Sequence, residues 1–74
     1  MTELSRPFDL LNNSMNKPVL VRLKGDWDLR GKLKAFDQHM NLVLEDADEI
    51  ENDTVKSKIG TVIVRGDNIL YVSP

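Results

Sequence analysis

From Val19 to Ala35 apolar residues recur on alternate positions in two runs, and Gly31 interrupts the second run at its centre. Val19, Val21 and Leu23 point to one face of an extended chain, while Arg22 and Lys24 point to the other. Gly25-Asp26 marks a turn and Trp27 opens the return strand. There Leu29, Leu33 and Ala35 alternate with Arg30, Lys32 and Lys34. Gly31 stands in the middle of that strand, where a missing side chain permits a sharp bend or bulge. Two paired strands that alternate cleanly, one of them bent at its centre, are what closing a small barrel requires.

The remainder fits around this unit. Ser5-Arg6-Pro7-Phe8-Asp9-Leu10-Leu11 reads as a helix start, with Ser5 as cap, Pro7 in the first turn and Asp9 facing the positive end of the dipole. Phe8, Leu11 and Met15 share a face, the three asparagines at 12, 13 and 16 weaken the helix, and Pro18 ends it. Met40 to Glu45 is expected as a third strand. Residues 46–58 are polar and acidic, either a solvated loop or an extended hairpin tip. Ile59 to Val64 is a fourth strand, Arg65-Gly66-Asp67-Asn68 a tight turn, and Ile69 to Val72 a fifth strand. The fold class is therefore mostly β: a short N-terminal helix followed by a strongly bent, five-stranded antiparallel open barrel.

A chain of 74 residues makes one domain. At this size only about 60% of the unfolded surface is buried, so small folds recruit disulfides, metals or partner subunits. No cysteine is present, which removes disulfides and cysteine-based zinc sites, and His39 is the only histidine. Association remains. The last two strands, Ile59–Val64 and Ile69–Val72, carry no charge. Monomers normally blunt an exposed strand edge with charge, proline or a bulge. An uncharged edge here points to pairing with another copy, and head-to-tail pairing closes into a ring.

Function classes can be narrowed from the same residues. The net charge of −2 argues against a general polyanion binder. Six of the ten basic residues lie between Lys17 and Lys34 and six of the twelve acidic ones between Glu45 and Asp53, so any nucleic-acid contact must be local. With no cysteine nucleophile, no phosphate loop and one histidine, catalysis has no visible machinery. The acidic run lacks the glycine and ligand pattern of a calcium loop. No cofactor or metal is expected, no apolar run reaches the roughly 20 residues of a membrane span, and the N-terminus does not resemble a signal peptide. The expectation is a soluble, cytoplasmic, non-enzymatic protein.

The turns carry the chemistry. His39 and Arg65 are flat groups able to sandwich a base, and the Asn41 amide can read a base edge with one donor and one acceptor. Asp67 can orient the asparagine or brace the arginine. Each residue taken singly also has an ordinary explanation as a polar turn residue. Their spacing decides. Phe36-Asp37-Gln38-His39-Met40-Asn41, preceded by Gly31 on a bent strand, resembles the first motif of the Sm family, and Val64-Arg65-Gly66-Asp67-Asn68-Ile69 resembles the second.

The chain thus resembles an archaeal Sm-like (LSm) protein, with an SH3-like Sm fold, over residues 1–74. The resemblance divides it into an N-terminal helix at 5–16, a first Sm motif at 18–46, a variable acidic loop at 47–58 and a second Sm motif at 59–74. It implies a ring of identical subunits, commonly seven, joined through the fourth strand of one and the fifth of the next. It also implies uridine-rich single-stranded RNA at the pore and a scaffold or chaperone role in RNA processing, with RNA-processing proteins as further partners. His39 and Arg65 would stack on uracil, Asn41 would read its edge and Asp67 would support that asparagine. Asp37, Met40 and Gly66 would support the site. Arg6, Pro7 and Phe36 could form a lateral RNA contact, or Phe36 could pack against the helix. Two alternatives stay open: a protein-interaction ring with secondary RNA binding, and a monomeric SH3-like or cold-shock-like barrel. Trp27 belongs to neither motif, and a large aromatic there suggests a contact or a packing cap.

Overall fold

The computed structural model describes residues 7–74, with side chains from Asp9 onward. The expected cap Ser5, the Arg6 side chain and those of Pro7 and Phe8 lie outside the described residues. Helix α1 spans Pro7–Asn13, and five strands follow: β1 Pro18–Leu23, β2 Trp27–Phe36, β3 Leu42–Glu51, β4 Thr54–Val64 and β5 Ile69–Ser73. They form one antiparallel sheet in the order β4-β3-β2-β1-β5.

The helix ends at Asn13, short of the Asn16 expected from the sequence. Ser14 and Met15 reach back only three residues, to the carbonyls of Leu11 and Asn12. Asn16 turns left-handed, with φ 65°, and donates its N–H to the Leu33 carbonyl at 2.7 Å. Pairing with β2 therefore wins over a further helical turn. The buried Ser14 hydroxyl donates back to the Leu10 carbonyl at 2.9 Å, so its burial leaves no polar atom unsatisfied. Leu11 is buried in the core and Met15 packs partly against it.

The inward face of β1 carries Val19, Val21 and Leu23, and it meets Leu29 and Leu33 of β2. Leu42, Leu44 and Ala47 of β3 and Val64 of β4 complete the core. Gly31 stands where β3 comes closest. A Cβ there would lie 3.1 Å from Leu44 Cβ and 3.2 Å from the Ala47 backbone. The β2–β3 register shifts beside it, between Arg30 and Lys32, and again between Leu33 and Ala35. These irregularities bend the strand and let a five-stranded sheet wrap one small core. On the outer side, Arg22 lies directly opposite Asp28, and its Nε meets Asp28 Oδ1 at 2.5 Å.

The acidic stretch is a hairpin, and its loop is confined to Asn52-Asp53. Both residues have positive φ, 54° and 62°, the conformation that matches the twist of two-residue hairpins. β4 accordingly begins at Thr54, not at Ile59, and β3 runs on to Glu51. Met40, expected to open β3, is instead a turn residue with φ 66°. Farther along β3, Asp46 has φ 55°, and Gly60 pairs opposite Ala47 with φ 89°. The ladder is irregular there, so the hairpin beyond it is set off from the barrel proper.

β4 and β5 are the two edges of the sheet. Among the described residues the exposed large apolar side chains all lie on them: Val55, Ile59 and Ile63 on β4, Leu70 and Tyr71 on β5. Ile63 is 72% exposed. A 380 to 400 Å³ groove borders each edge, one beside Ile63 and the other between α1 and β5 under Tyr71.

Candidate nucleic-acid interface

Two turns come together at one end of the sheet. The first joins β2 to β3. Asp37 organises it with a single carboxylate: Oδ1 accepts from the N–H of His39 at 2.8 Å and of Asn41 at 3.1 Å, and Oδ2 accepts from Asn41 Nδ2 at 3.0 Å. Main-chain bonds from Met40 N to Asp37 O and from Asp37 N to Asn41 O close the loop. Aspartate suits this position because a short carboxylate can accept from backbone donors two and four residues ahead. The hydrogen bond from the Asn41 side chain, with those from the backbone, holds the Asp37 carboxyl below its ordinary value of 3.8.

The second turn is the 3₁₀ segment Gly66–Asn68, entered through Arg65. Its Gly66 N–H donates to Asn41 Oδ1 at 2.8 Å. Gly66 also abuts the carbonyls of His39 and Met40 so closely that a Cβ would lie 2.9 Å from the Met40 carbonyl carbon. Only glycine fits between the turns. Met40 packs against the core below them.

This arrangement fixes the Asn41 amide without exhausting it. One amide hydrogen goes to Asp37, and one lone pair is taken by Gly66. An amide offers two donors and two acceptor sites, so one of each remains. The reverse orientation would set NH₂ against the Gly66 N–H and oxygen against a carboxylate, so the chemistry admits one assignment. On sequence alone Asp67 can either orient Asn41 or brace Arg65, and the family resemblance implies the first. In the structure Asp37 and Gly66 hold Asn41, whereas Asp67 Oδ2 lies 3.5 Å from Arg65 Nη2. That pair is exposed and long, so it leaves the guanidinium available. The His39 side chain is exposed as well.

A groove of about 380 Å³ opens beside these groups, lined among others by Phe36, Asp37, Asn41, Ile63 and Arg65. Phe36 is half-buried and packs partly against the core. Its expected lateral partners, Arg6 and the Pro7 side chain, lie outside the described residues. The basic residues Arg30 and Lys32 sit directly opposite Asp48 and Glu45 on β3, a ladder of alternating charge on a solvated face. One neighbour of the site was not read from the sequence. Asn68 accepts a backbone bond from Lys24 at 2.9 Å, which draws the β1–β2 turn up to the second motif. No local pattern announces that contact, although Trp27 stood out as unexplained.

Comparison with known proteins agrees with this fold. The LSM domain model matches residues 9–74. An snRNP Sm-like protein of Methanosarcina barkeri is 56% identical over 70 residues, covering 95% of this chain and 97% of its own. The Pyrococcus abyssi Sm protein, solved in complex with a uridine heptamer, superposes with a TM-score of 0.91 at 43% identity, over 95% of this chain and 99% of that one. A heptameric archaeal Sm protein superposes with a TM-score of 0.82 at 51% identity, over 88% and 94% of the two chains. A match over nearly the whole chain, with both turns in place, establishes that this chain belongs to the LSM domain family.

Proposed function

We propose that this protein is a non-enzymatic ring of identical subunits that binds uridine-rich single-stranded RNA at its pore and serves as a scaffold or chaperone in RNA processing. The carrying observation is the Asn41 amide, held between Asp37 and Gly66 with one donor and one acceptor left over. Uracil offers the complement, an N3–H donor flanked by carbonyl acceptors. His39 and Arg65 supply the flat faces on which the base stacks. One such stack is worth about 1–3 kcal/mol, so a single site is weak and a circle of sites becomes useful through multivalency. An arginine from each subunit makes the pore lining positive despite the acidic total, and a lateral contact through Arg6, Pro7 and Phe36 would extend the same RNA path.

Assembly is supported by the edges. β4 and β5 are the unpaired margins of the sheet and carry its exposed apolar side chains. Pairing β4 of one subunit with β5 of the next would cover both. A copy number of seven follows the heptameric relative.

Binding of fluorescent oligouridine and oligoadenosine, compared between wild type and the Asn41→Ala and Arg65→Ala variants, tests the reading. A uridine preference that disappears in both variants while the assembly persists is the expected result. Equal or absent binding of the two oligomers would remove base reading and favour a ring that acts through protein partners.

A further inference from the structure

Of the three basic side chains that alternate along the exposed face of β2, two stand opposite a carboxylate and one does not. Arg30 and Lys32 face Asp48 and Glu45 on β3. Lys34 falls at the second register shift, and the β3 residues paired on either side of it, Leu44 and Val43, are apolar. Its ammonium goes instead to the segment before β1, where Nζ donates to Asn16 Oδ1 at 2.9 Å.

The left-handed turn at Asn16 makes this meeting possible. Leu33 accepts from the Asn16 N–H at 2.7 Å and donates to the Lys17 carbonyl at 3.0 Å, which lays both residues beside the end of β2. An ammonium has only hydrogens to offer, so the amide oxygen must face Lys34, and both hydrogens of the amide nitrogen stay unused. Among the described residues neither Lys17 nor Lys34 forms an ion pair, and Asn16 Nδ2 makes no hydrogen bond. All three side chains are exposed. The corner therefore presents two uncompensated positive charges and an amide donor. It has no flat ring to stack a base, so its chemistry suits a phosphate.

We propose that Asn16, Lys17 and Lys34 form a phosphate-binding corner on the outside of the ring, and that it holds the backbone of RNA flanking the uridine-rich stretch. The inference rests on the RNA-binding reading above. Each pore site keeps its single base, because the corner takes only nucleotides that lie outside the ring's circle of sites. β2 is the middle strand of the sheet, so pairing through β4 and β5 leaves this face open. Proximity names the occupant. Lys34 stands three residues before Asp37, about 10 Å along a strand, and Phe36 and Asp37 line the groove that holds Asn41. A strand leaving that groove meets Lys34 before any acidic side chain of the β3–β4 hairpin tip. Contacts of this kind position RNA without reading its sequence.

The test compares a labelled uridine heptamer with the same heptamer carrying an oligoadenosine extension. At low salt the wild type should bind the extended RNA about 2- to 30-fold more tightly, the range for two exposed charge pairs. Lys17→Gln/Lys34→Gln should lose that gain and bind the bare heptamer as before. The salt slope of extended-RNA binding should fall by about 1.4 with the two phosphate contacts. Asn16→Gly, which keeps the left-handed backbone, should lose part of the gain. Arg30→Gln/Lys32→Gln removes the same charge from side chains that already face carboxylates, and should keep the gain. Equal losses in the two double variants would reduce the effect to bulk charge and overturn the corner. An extension that adds nothing, or a gain that survives in Lys17→Gln/Lys34→Gln, overturns it while leaving the pore reading intact. An altered assembly mass in that variant would make the corner a subunit contact and overturn it too. A wild type that binds neither RNA refutes the RNA reading itself, and the corner with it.

Discussion

The Asn41 side-chain oxygen accepts a hydrogen bond from the Gly66 N–H at 2.8 Å, across 25 positions of sequence. This bond joins two turns that are otherwise separated by the whole β3–β4 hairpin. It also decides which way the amide faces, because Asp37 claims the opposite end at 3.0 Å. One side chain therefore fastens both turns and also carries the free donor and acceptor on which the proposed base reading rests.

The tightest consequence concerns Gly66. Any side chain there collides with the His39 and Met40 carbonyls, which are backbone and cannot swing aside. Gly66→Ala should cost about 1–3 kcal/mol, as overpacking does, and lower the melting temperature by several degrees. Oligouridine affinity should fall with it, because the turns must part. Calorimetry and a binding titration check this, and a variant unchanged in both would contradict the close approach.

Asp37 makes the site sensitive to acid. Its folded-state carboxyl titrates below the ordinary 3.8 because Asn41 and the turn backbone donate to the charged form. The sign follows from that depression: the bracing is fully present above 3.8 and is lost as pH falls through the lower, folded value. Asn41 amide resonances followed by NMR during acid titration should shift in that window. In Asp37→Asn that step should vanish, and uridine affinity should be reduced already at neutral pH. A wild-type spectrum that stays constant below 3.8 would dismiss Asp37 as the brace.

The edge of β4 offers a cleaner separation of folding from assembly. Ile63 is exposed in the single chain, so Ile63→Asp removes nothing from the core. It should leave the far-ultraviolet spectrum intact while native mass spectrometry shows the assembly breaking to single subunits. Persistence of the full assembly would argue that β4 is not the contact.

The outer half of the same strand should behave oppositely. β4 has eleven residues and β5 five, so a neighbour's β5 can pair with only about half of β4. The unpaired remainder carries Lys56 and Lys58, and a bulge at Gly60 sets it apart. Charged residues and bulges are the usual guards of an open edge. Lys56 leans toward Glu51 at 3.4 Å and Glu49 at 3.9 Å, exposed pairs worth little stability. Replacing both lysines with valine should therefore spare folding but produce species larger than the wild-type assembly in light scattering. An unaltered size distribution would show that the lysines guard nothing.

Much of this molecule is local and was legible as such. Alternation placed Val19, Val21, Leu23, Leu29 and Leu33 on the buried face because side-chain direction reverses at every residue of a strand. The missing charges of Ile59–Val64 and Ile69–Val72 fell on the two strands that form the margins of the sheet, and the two turn motifs fell on the turns that meet at one end of it. Other features depend on who meets whom. The acidic stretch hid its strands because positive φ at Asp46 and shifts around Ala47 and Glu49 break the period, leaving Ala47 and Ile50 buried three positions apart. The Asn41–Gly66 bond, the displacement of Asp67 from supporting Asn41 to facing Arg65, and the approach of Lys24 to Asn68 required the sheet order itself. A strand's period is written in its own residues, whereas a hydrogen bond across 25 positions exists only once the topology has brought both ends together.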